Sequence, residues 1–92
     1  MNTLEIYKNL KIVKIINEIN VDIENVTIDT RKVEKGSCFI GIKGEKTDGN
    51  LLYKNAFDAG ASLVILEYFD ESPENINYLK ENNKSVIIAP ST

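Results

Sequence analysis

The chain has 92 residues, a net charge of −3, one cysteine and no histidine, a composition typical of one small globular domain. The acidic balance argues against general nucleic-acid binding, and no apolar run reaches the length of about 18 residues that a membrane span needs. Residues 1–11 lack the basic-then-apolar layout of a secretory signal, so we expect a cytoplasmic protein with a reduced Cys38. The absence of histidine excludes Ser-His-Asp triads, Cys-His pairs and histidine metal sites.

The hydrophobic pattern predicts short helices and strands in a regular order. Thr3 is a candidate N-cap for a first helix, and the β-branched residues 11–16 predict a strand. Further strands are predicted over residues 23–28 and 38–42. The remaining predicted elements are a helix over residues 51–59 ended by Gly60, a strand over 62–66, a helix from Pro73 to about Asn82, and a strand over 85–89 closed by Pro90.

From Cys38 onward the predicted order is strand, helix, strand, helix, strand, which favours parallel strands joined by right-handed crossovers. We therefore predict an α/β fold, a small Rossmann-like mixed sheet with flanking helices and an N-terminal β appendage. Residues 1–92 are expected to form a single domain. Because Ser91 and Thr92 follow the last strand without a cap or tail, we expect this domain to be a fragment of a longer protein.

The sequence predicts no nucleotide-triphosphate site. Gly44-Glu45-Lys46-Thr47 resembles the end of a P-loop, but Glu45 stands where glycine is required and its carboxylate would repel a phosphate. No Gly-x-Gly-x-x-Gly segment follows a predicted strand. Five basic and two acidic residues nevertheless lie between Arg31 and Lys46, which makes this segment +3. It could attract an anionic small molecule, or it could simply be a solvated face.

Several polar groups have both a structural and a functional interpretation. Asp29-Thr30-Arg31 and Asp48-Gly49-Asn50 could be ligand loops, or turns whose side chains bond their own backbone. The acidic residues between Glu67 and Glu74 could bind a cation in a regulatory domain, or form a solvated loop and helix N-terminus. Cys38 lies in an apolar run, so we expect a buried structural thiol.

An ordered series of motifs resembles the N-terminal domain of the Mur ligases of bacterial cell-wall synthesis. That family has an Asp-Ser/Thr-Arg turn, a Gly-Asp-x-Phe-hydrophobic strand, a Gly-x-x-x-Asp-Gly-His segment and a helix that ends in Gly-Ala. The matching parts of this chain are Thr27 to Val33, Gly36 to Gly44, Asp48 to Asn50, Ala56 and Gly60-Ala61. Two positions depart from the pattern: Ser37 stands in place of the usual aspartate and Asn50 in place of the usual histidine.

The resemblance implies that this domain holds the uridine diphosphate end of a UDP-N-acetylmuramoyl-peptide. The positions that match the family's binding segments are Ile28, Thr30, Glu45, Lys46 and Thr47. In this interpretation Ile28 packs on the uracil ring, and Thr30 and the loop amides bond the ring edge or the diphosphate. Lys46 adds charge attraction. No catalytic residue, metal ligand or bound cofactor is expected in this chain.

The resemblance also implies a parent ligase that uses ATP and Mg²⁺ to form a peptide bond through an acyl phosphate, with its catalytic groups in further domains. The early layout more closely resembles the ligases that add the third amino acid to UDP-N-acetylmuramoyl-dipeptide. The Asp-Thr-Arg and Asp-Gly-Asn segments also resemble the ligases that add D-alanyl-D-alanine. A stand-alone α/β interaction module without catalysis is the remaining alternative.

Overall fold

The computed structural model describes residues 1–90, so the expectation about Ser91 and Thr92 concerns residues outside this range. Within residues 1–90, three helices flank a five-stranded mixed sheet, which confirms the predicted α/β class. The helices are α1 (Thr3–Asn9), α2 (Tyr53–Asp58) and α3 (Pro73–Asn82). The strands are β1 (Lys14–Ile16), β2 (Val26–Thr27), β3 (Cys38–Ile40), β4 (Leu63–Leu66) and β5 (Ser85–Ile88).

The sheet has the strand order β1-β5-β4-β3-β2, in which β2 to β5 run parallel and β1 pairs antiparallel with β5. Helix α2 connects β3 to β4 and helix α3 connects β4 to β5, which is why these neighbours are parallel. Cys38 lies opposite Leu63, and Leu63 lies opposite Ser85. The four parallel strands therefore end on the same side of the sheet, which we call its carboxyl edge.

Side chains alternate between two cores, one on each face of the sheet. On one face, Phe39 and Val64 belong to a cluster that includes Leu79 of α3. On the other face, Cys38 and Leu63 belong to a cluster against which α1 packs. Cys38 is fully buried, as predicted, and burial raises the pKa of its thiol to about 12.

The start of α1 differs from the prediction. Asn2, not Thr3, is the N-cap, because its side-chain oxygen accepts a hydrogen bond from Leu4 N at 2.8 Å. Thr3 is buried instead. Its hydroxyl donates to Ile19 O at 2.8 Å and accepts from Val21 N at 3.1 Å. These two bonds tie α1 to the segment that follows β1.

The predicted strands over residues 11–16, 23–28, 38–42, 62–66 and 85–89 are observed as β1 to β5, each one to four residues shorter. Ile23 is not part of β2 but is buried in the core next to α1. The predicted helix over 51–59 is split into a 3₁₀ turn, Gly49–Leu51, and α2. The predicted helix α3 is confirmed, with Ser72 as its N-cap. Within residues 1–90, the helices are too short and too polar to cross a membrane.

Candidate functional site

The five predicted binding residues lie at the carboxyl edge of the parallel sheet. Ile28 and Thr30 follow β2, and residues 45–47 lie in the loop after β3. Strands β2 and β3 pair in parallel, with Thr27 opposite Phe39, so the two segments leave the sheet at one edge. Neighbouring strands are about 4.8 Å apart, and open α/β sheets bind ligands outside this edge. The topology thus brings both predicted segments to a common edge, while their binding role stays a prediction.

Asp29 organises the segment after β2. Its carboxylate accepts hydrogen bonds from the backbone N of Arg31 at 2.9 Å, from Arg31 Nε at 3.1 Å and from Arg31 Nη2 at 2.9 Å. These hydrogen bonds lower the pKa of Asp29 to about 2. Arg31 is therefore paired with Asp29, while its side chain stays 88% exposed. Of the two interpretations of Asp29-Thr30-Arg31, the structure shows the self-bonded turn.

The turn leaves Ile28 and Thr30 as the accessible groups of this segment. Thr27 Oγ1 accepts a hydrogen bond from Asp29 N at 3.1 Å and donates one to Asp29 O at 3.4 Å, which fixes the backbone between them. Ile28 is 64% exposed, and within residues 1–90 no hydrogen bond engages the Thr30 hydroxyl. An exposed apolar side chain beside a hydroxyl is suited to a flat ring with polar edges.

Glu45 and Lys46 occupy the tip of a tight turn, Gly44–Thr47. Gly44 N donates to Thr47 O at 2.9 Å, and at the base of the turn Lys43 and Asp48 form an antiparallel bridge. The side chains at the tip are exposed, and Lys46 makes no ion pair within the described part of the chain. Lys46 can therefore attract an anion, an effect that the neighbouring Glu45 carboxylate weakens.

Asp48 and Asn50 brace the base of this turn. Asp48 Oδ1 accepts hydrogen bonds from Asn50 N at 3.0 Å and from Asn50 Nδ2 at 2.9 Å. Asn50 Oδ1 accepts from Glu67 N at 2.8 Å, directly after β4. Asn50 is only 1% exposed. Asp48-Gly49-Asn50 is thus a capping turn. Asn50, which stands in place of the usual histidine, is buried inside the fold.

Ser37, which stands in place of the usual aspartate, is fully buried before β3, on the side of the sheet opposite the carboxyl edge. Its hydroxyl donates to Asn25 Oδ1 and accepts from Glu34 N at 2.8 Å. These bonds connect the residue before β2 to the turn that leads into β3. Ser37 therefore has a structural role away from the carboxyl edge.

A mostly apolar cavity of about 290 Å³ also opens at the carboxyl edge, and nothing in the sequence predicted it. Its walls come from the ends of β3, β4 and β5 and from the end of α1: Leu10, Ile40, Gly41, Ile42, Ile65, Leu66, Glu67, Ala89 and Pro90. Among the lining residues within 1–90, Glu67 is the ionisable one. Four separate segments meet here only through the sheet topology, so no local sequence signal marks the cavity.

Two of the acidic residues between Glu67 and Glu74 are engaged by neighbouring groups. Glu71 pairs with Lys14 at 2.6 Å, and Asp70 accepts a hydrogen bond from Ser72 N at 3.1 Å. Across residues 1–90, no three Cys, Asp or Glu side chains come together as metal ligands. The solvated loop and helix N-terminus is therefore the interpretation that fits.

Comparison with known proteins gives one family. A sequence model described as "Mur ligase family, catalytic domain" matches residues 22–91, more than half of the chain. The UDP-N-acetylmuramoyl-L-alanyl-D-glutamate--2,6-diaminopimelate ligase of Clostridioides difficile (strain 630) is 45% identical over 67 residues, 73% of this chain and 14% of that ligase. The ligase of that name numbered 2 in Clostridium acetobutylicum is 33% identical over 90 residues, 97% of this chain and 19% of that ligase. The chain thus spans less than a fifth of the length of these relatives.

A solved structure supports the same fold. The crystal structure of MurF from Acinetobacter baumannii superposes with a TM-score of 0.58 at 20% sequence identity. The superposition covers 76% of this chain and 13% of that chain. At this level of identity the likeness bears on the fold alone.

Proposed function

This chain belongs to the Mur ligase family, and from that premise we propose that it holds the uridine diphosphate end of a UDP-N-acetylmuramoyl-dipeptide in a ligase that adds the third amino acid. The two relatives described above are both named as ligases of UDP-N-acetylmuramoyl-L-alanyl-D-glutamate. Their names favour this assignment over the ligases that add D-alanyl-D-alanine. Membership of a ligase family also argues against a stand-alone interaction module.

The observation that carries the proposal is the shared carboxyl edge of the two predicted segments. Ile28 offers an exposed apolar surface for the uracil face, and the Thr30 hydroxyl can donate to or accept from the ring edge. The turn Gly44–Thr47 emerges from the adjacent strand and presents Lys46 toward solvent. A diphosphate is strongly anionic, and the net charge of +3 over residues 31–46, one of which is offset by the pairing of Arg31 with Asp29, favours it on an otherwise acidic chain.

The residues of this chain do not fit ATP or Mg²⁺. A P-loop needs glycine where Glu45 stands, and within residues 1–90 no group of metal ligands is assembled. We propose that the parent ligase uses ATP and Mg²⁺ through other domains, which would be the partners of this one, and that the parent is cytoplasmic. This chain then binds substrate and catalyses nothing by itself.

Calorimetric titration of the purified chain with UDP tests the binding role. We expect saturable binding that Ile28→Asp abolishes, because a carboxylate would replace the apolar surface under the uracil ring. Lys46→Ala should weaken binding by about two- to fivefold at low salt, the range expected for one exposed charge. Lys80→Ala on α3 is the matched control, because it removes an exposed lysine far along the chain from both segments and should leave affinity unchanged. Equal losses in both lysine variants would contradict a specific role for Lys46.

The parent gene tests the ligase assignment separately. We expect it to encode a Gly-Thr-x-Gly-Lys-Thr segment within about thirty residues after Thr92, because the ATP phosphates need such a glycine-rich cradle. A gene that ends shortly after Thr92, or continues without that segment, would contradict the assignment.

A further inference from the structure

We propose that Asn50 is a positioning residue: it does not touch the ligand, but its buried amide holds the turn Gly44–Thr47 in the geometry that binds the diphosphate. This inference rests on the binding function proposed above for that turn. It assigns a role to a residue that departs from the family pattern and that lies out of a ligand's reach.

The amide of Asn50 joins two separate parts of the carboxyl edge. Its Nδ2 donates to Asp48 Oδ1 at 2.9 Å, within the loop after β3. Its Oδ1 accepts from Glu67 N at 2.8 Å, at the end of β4. Because Asn50 is 1% exposed, removal of its amide leaves Glu67 N without this partner in a buried place. This side chain thus ties the loop to the end of β4, beside the backbone hydrogen bond from Gly41 N to Ile65 O at 2.9 Å where the loop begins.

The tie reaches the turn through Asp48. The carboxylate that Asn50 holds belongs to the residue that bridges with Lys43 and closes the base of the turn. Gly49 N also donates to Ile42 O at 2.9 Å, so both arms of the turn are fixed to each other. With the arms paired, the bonds of Asn50 fix the returning arm of the turn to the end of β4, while Gly41 N holds the outgoing arm.

Asparagine is suited to this position because one side chain must both donate and accept. Aspartate would accept from Glu67 N but would place a second carboxylate against Asp48. A neutral imidazole could accept with one nitrogen and donate with the other, whereas a protonated one could only donate. The Asp48 carboxylate is the titratable group in hydrogen-bond contact with the Asn50 side chain, whereas Glu67 meets it through its backbone N. Histidine here would add a group that titrates near neutral pH, whereas the amide of asparagine does not titrate.

The experiment measures UDP affinity and amide hydrogen exchange in the unchanged chain and in three variants. For Asn50→Ala we expect about a tenfold loss of affinity, larger than for Lys46→Ala because a displaced turn moves its backbone amides away from the diphosphate together with Lys46, and faster exchange of the Gly44 and Gly49 amides. Asn17→Gly is the matched control. Its amide donates to Leu79 O at 3.1 Å and Lys84 O at 2.8 Å at the opposite edge of the sheet, and glycine accommodates its positive φ of 58°. That variant should lose stability but keep its affinity within about twofold.

Asn50→His separates positioning from general destabilisation. Its affinity, taken as a ratio to the unchanged chain at each pH so that titration of the terminal phosphate cancels, should be near one at pH 8 and fall as the pH drops below about 6.5. This variant also serves as the test if Asn50→Ala does not fold. Two results would overturn the inference about Asn50 and leave the proposed function standing. One is a ratio for Asn50→His that stays near one from pH 8 to pH 5.5. The other is an Asn50→Ala variant that binds UDP within about twofold of the unchanged chain. If the unchanged chain does not bind UDP, the proposed function fails, and the role of Asn50 in binding fails with it.

Discussion

Gly49 lies where the loop after β3 folds back on itself, and adding a methyl group there is expected to destabilise the domain. A Cβ on Gly49 would lie 2.6 Å from both the N and the O atoms of Ile42 and 3.3 Å from Gly41 Cα. These are backbone atoms, which cannot rotate away as a flexible side chain could. Gly49 N also donates to Ile42 O at 2.9 Å, so the two arms cannot separate without straining that hydrogen bond.

The expected loss in the free energy of unfolding follows from the displacement that Gly49→Ala requires. The arms must move apart by roughly 0.8 Å to restore an ordinary van der Waals contact, and overpacking of this kind costs about 1–3 kcal/mol. Loss of the hydrogen bond between Gly49 and Ile42 adds about 1 kcal/mol. We therefore expect the free energy of unfolding to fall by about 2–4 kcal/mol, a large part of the stability of a small domain.

Urea unfolding followed by circular dichroism measures this loss, and Gly44→Ala is the control in the same loop. A Cβ on Gly44 would meet only Thr47 O, at 3.2 Å. Reduced entropy of the unfolded chain offsets that contact, so we expect a change of less than about 1 kcal/mol in either direction. A Gly49→Ala variant within about 0.5 kcal/mol of the unchanged chain, or a Gly44→Ala variant that costs as much as Gly49→Ala, would refute the close-approach reasoning.

Three further predictions concern the core, the turn after β2 and the thiol. Leu79→Ala should lower the unfolding free energy by about 2–5 kcal/mol in the same assay, because Leu79 lies on the buried side of α3 and is 1% exposed; a loss below about 1 kcal/mol would contradict this. Asp29 has a depressed pKa in the folded state, so its stabilising pair with Arg31 is fully present above pH 3.8 and is lost as the pH falls toward 2. Stability measured against pH should therefore decline less steeply over that range in Asp29→Asn, and an identical profile would contradict the pairing. Cys38 should resist a thiol reagent at pH 8 until the protein is denatured, and rapid labelling of the native protein would show that the thiol is accessible.

The sheet and α3 could be predicted because their signals are local. Cys38–Ile40 and Leu63–Leu66 are compact apolar runs bounded by polar or glycine residues, and Ser72-Pro73 is a cap followed by an N1 proline. The cap of α1 could not be predicted in this way. Asn2 and Thr3 are both good capping residues, and the choice depends on the bond of Thr3 to Ile19, which lies 16 residues away in sequence.

The candidate site shows the same division between local and distant signals. The order of motifs placed Ile28, Thr30 and residues 45–47 in two loops, and the parallel pairing of β2 and β3 brings those loops to one edge. The brace between Asn50 and Glu67 joins the 3₁₀ turn Gly49–Leu51 to the residue after β4, 17 positions later, and the apolar cavity draws on four segments. Neither feature has a local pattern, so only the three-dimensional structure shows them.

The most direct test of the proposed binding role is a ¹H–¹⁵N NMR titration of this chain with UDP-N-acetylmuramoyl-dipeptide and, separately, with UDP. We predict that both ligands shift the amides of Ile28, Thr30 and residues 45–47, which would locate the uridine diphosphate end at the carboxyl edge. Shifts confined to other parts of the domain, or no shifts with the dipeptide substrate in large excess, would contradict this role.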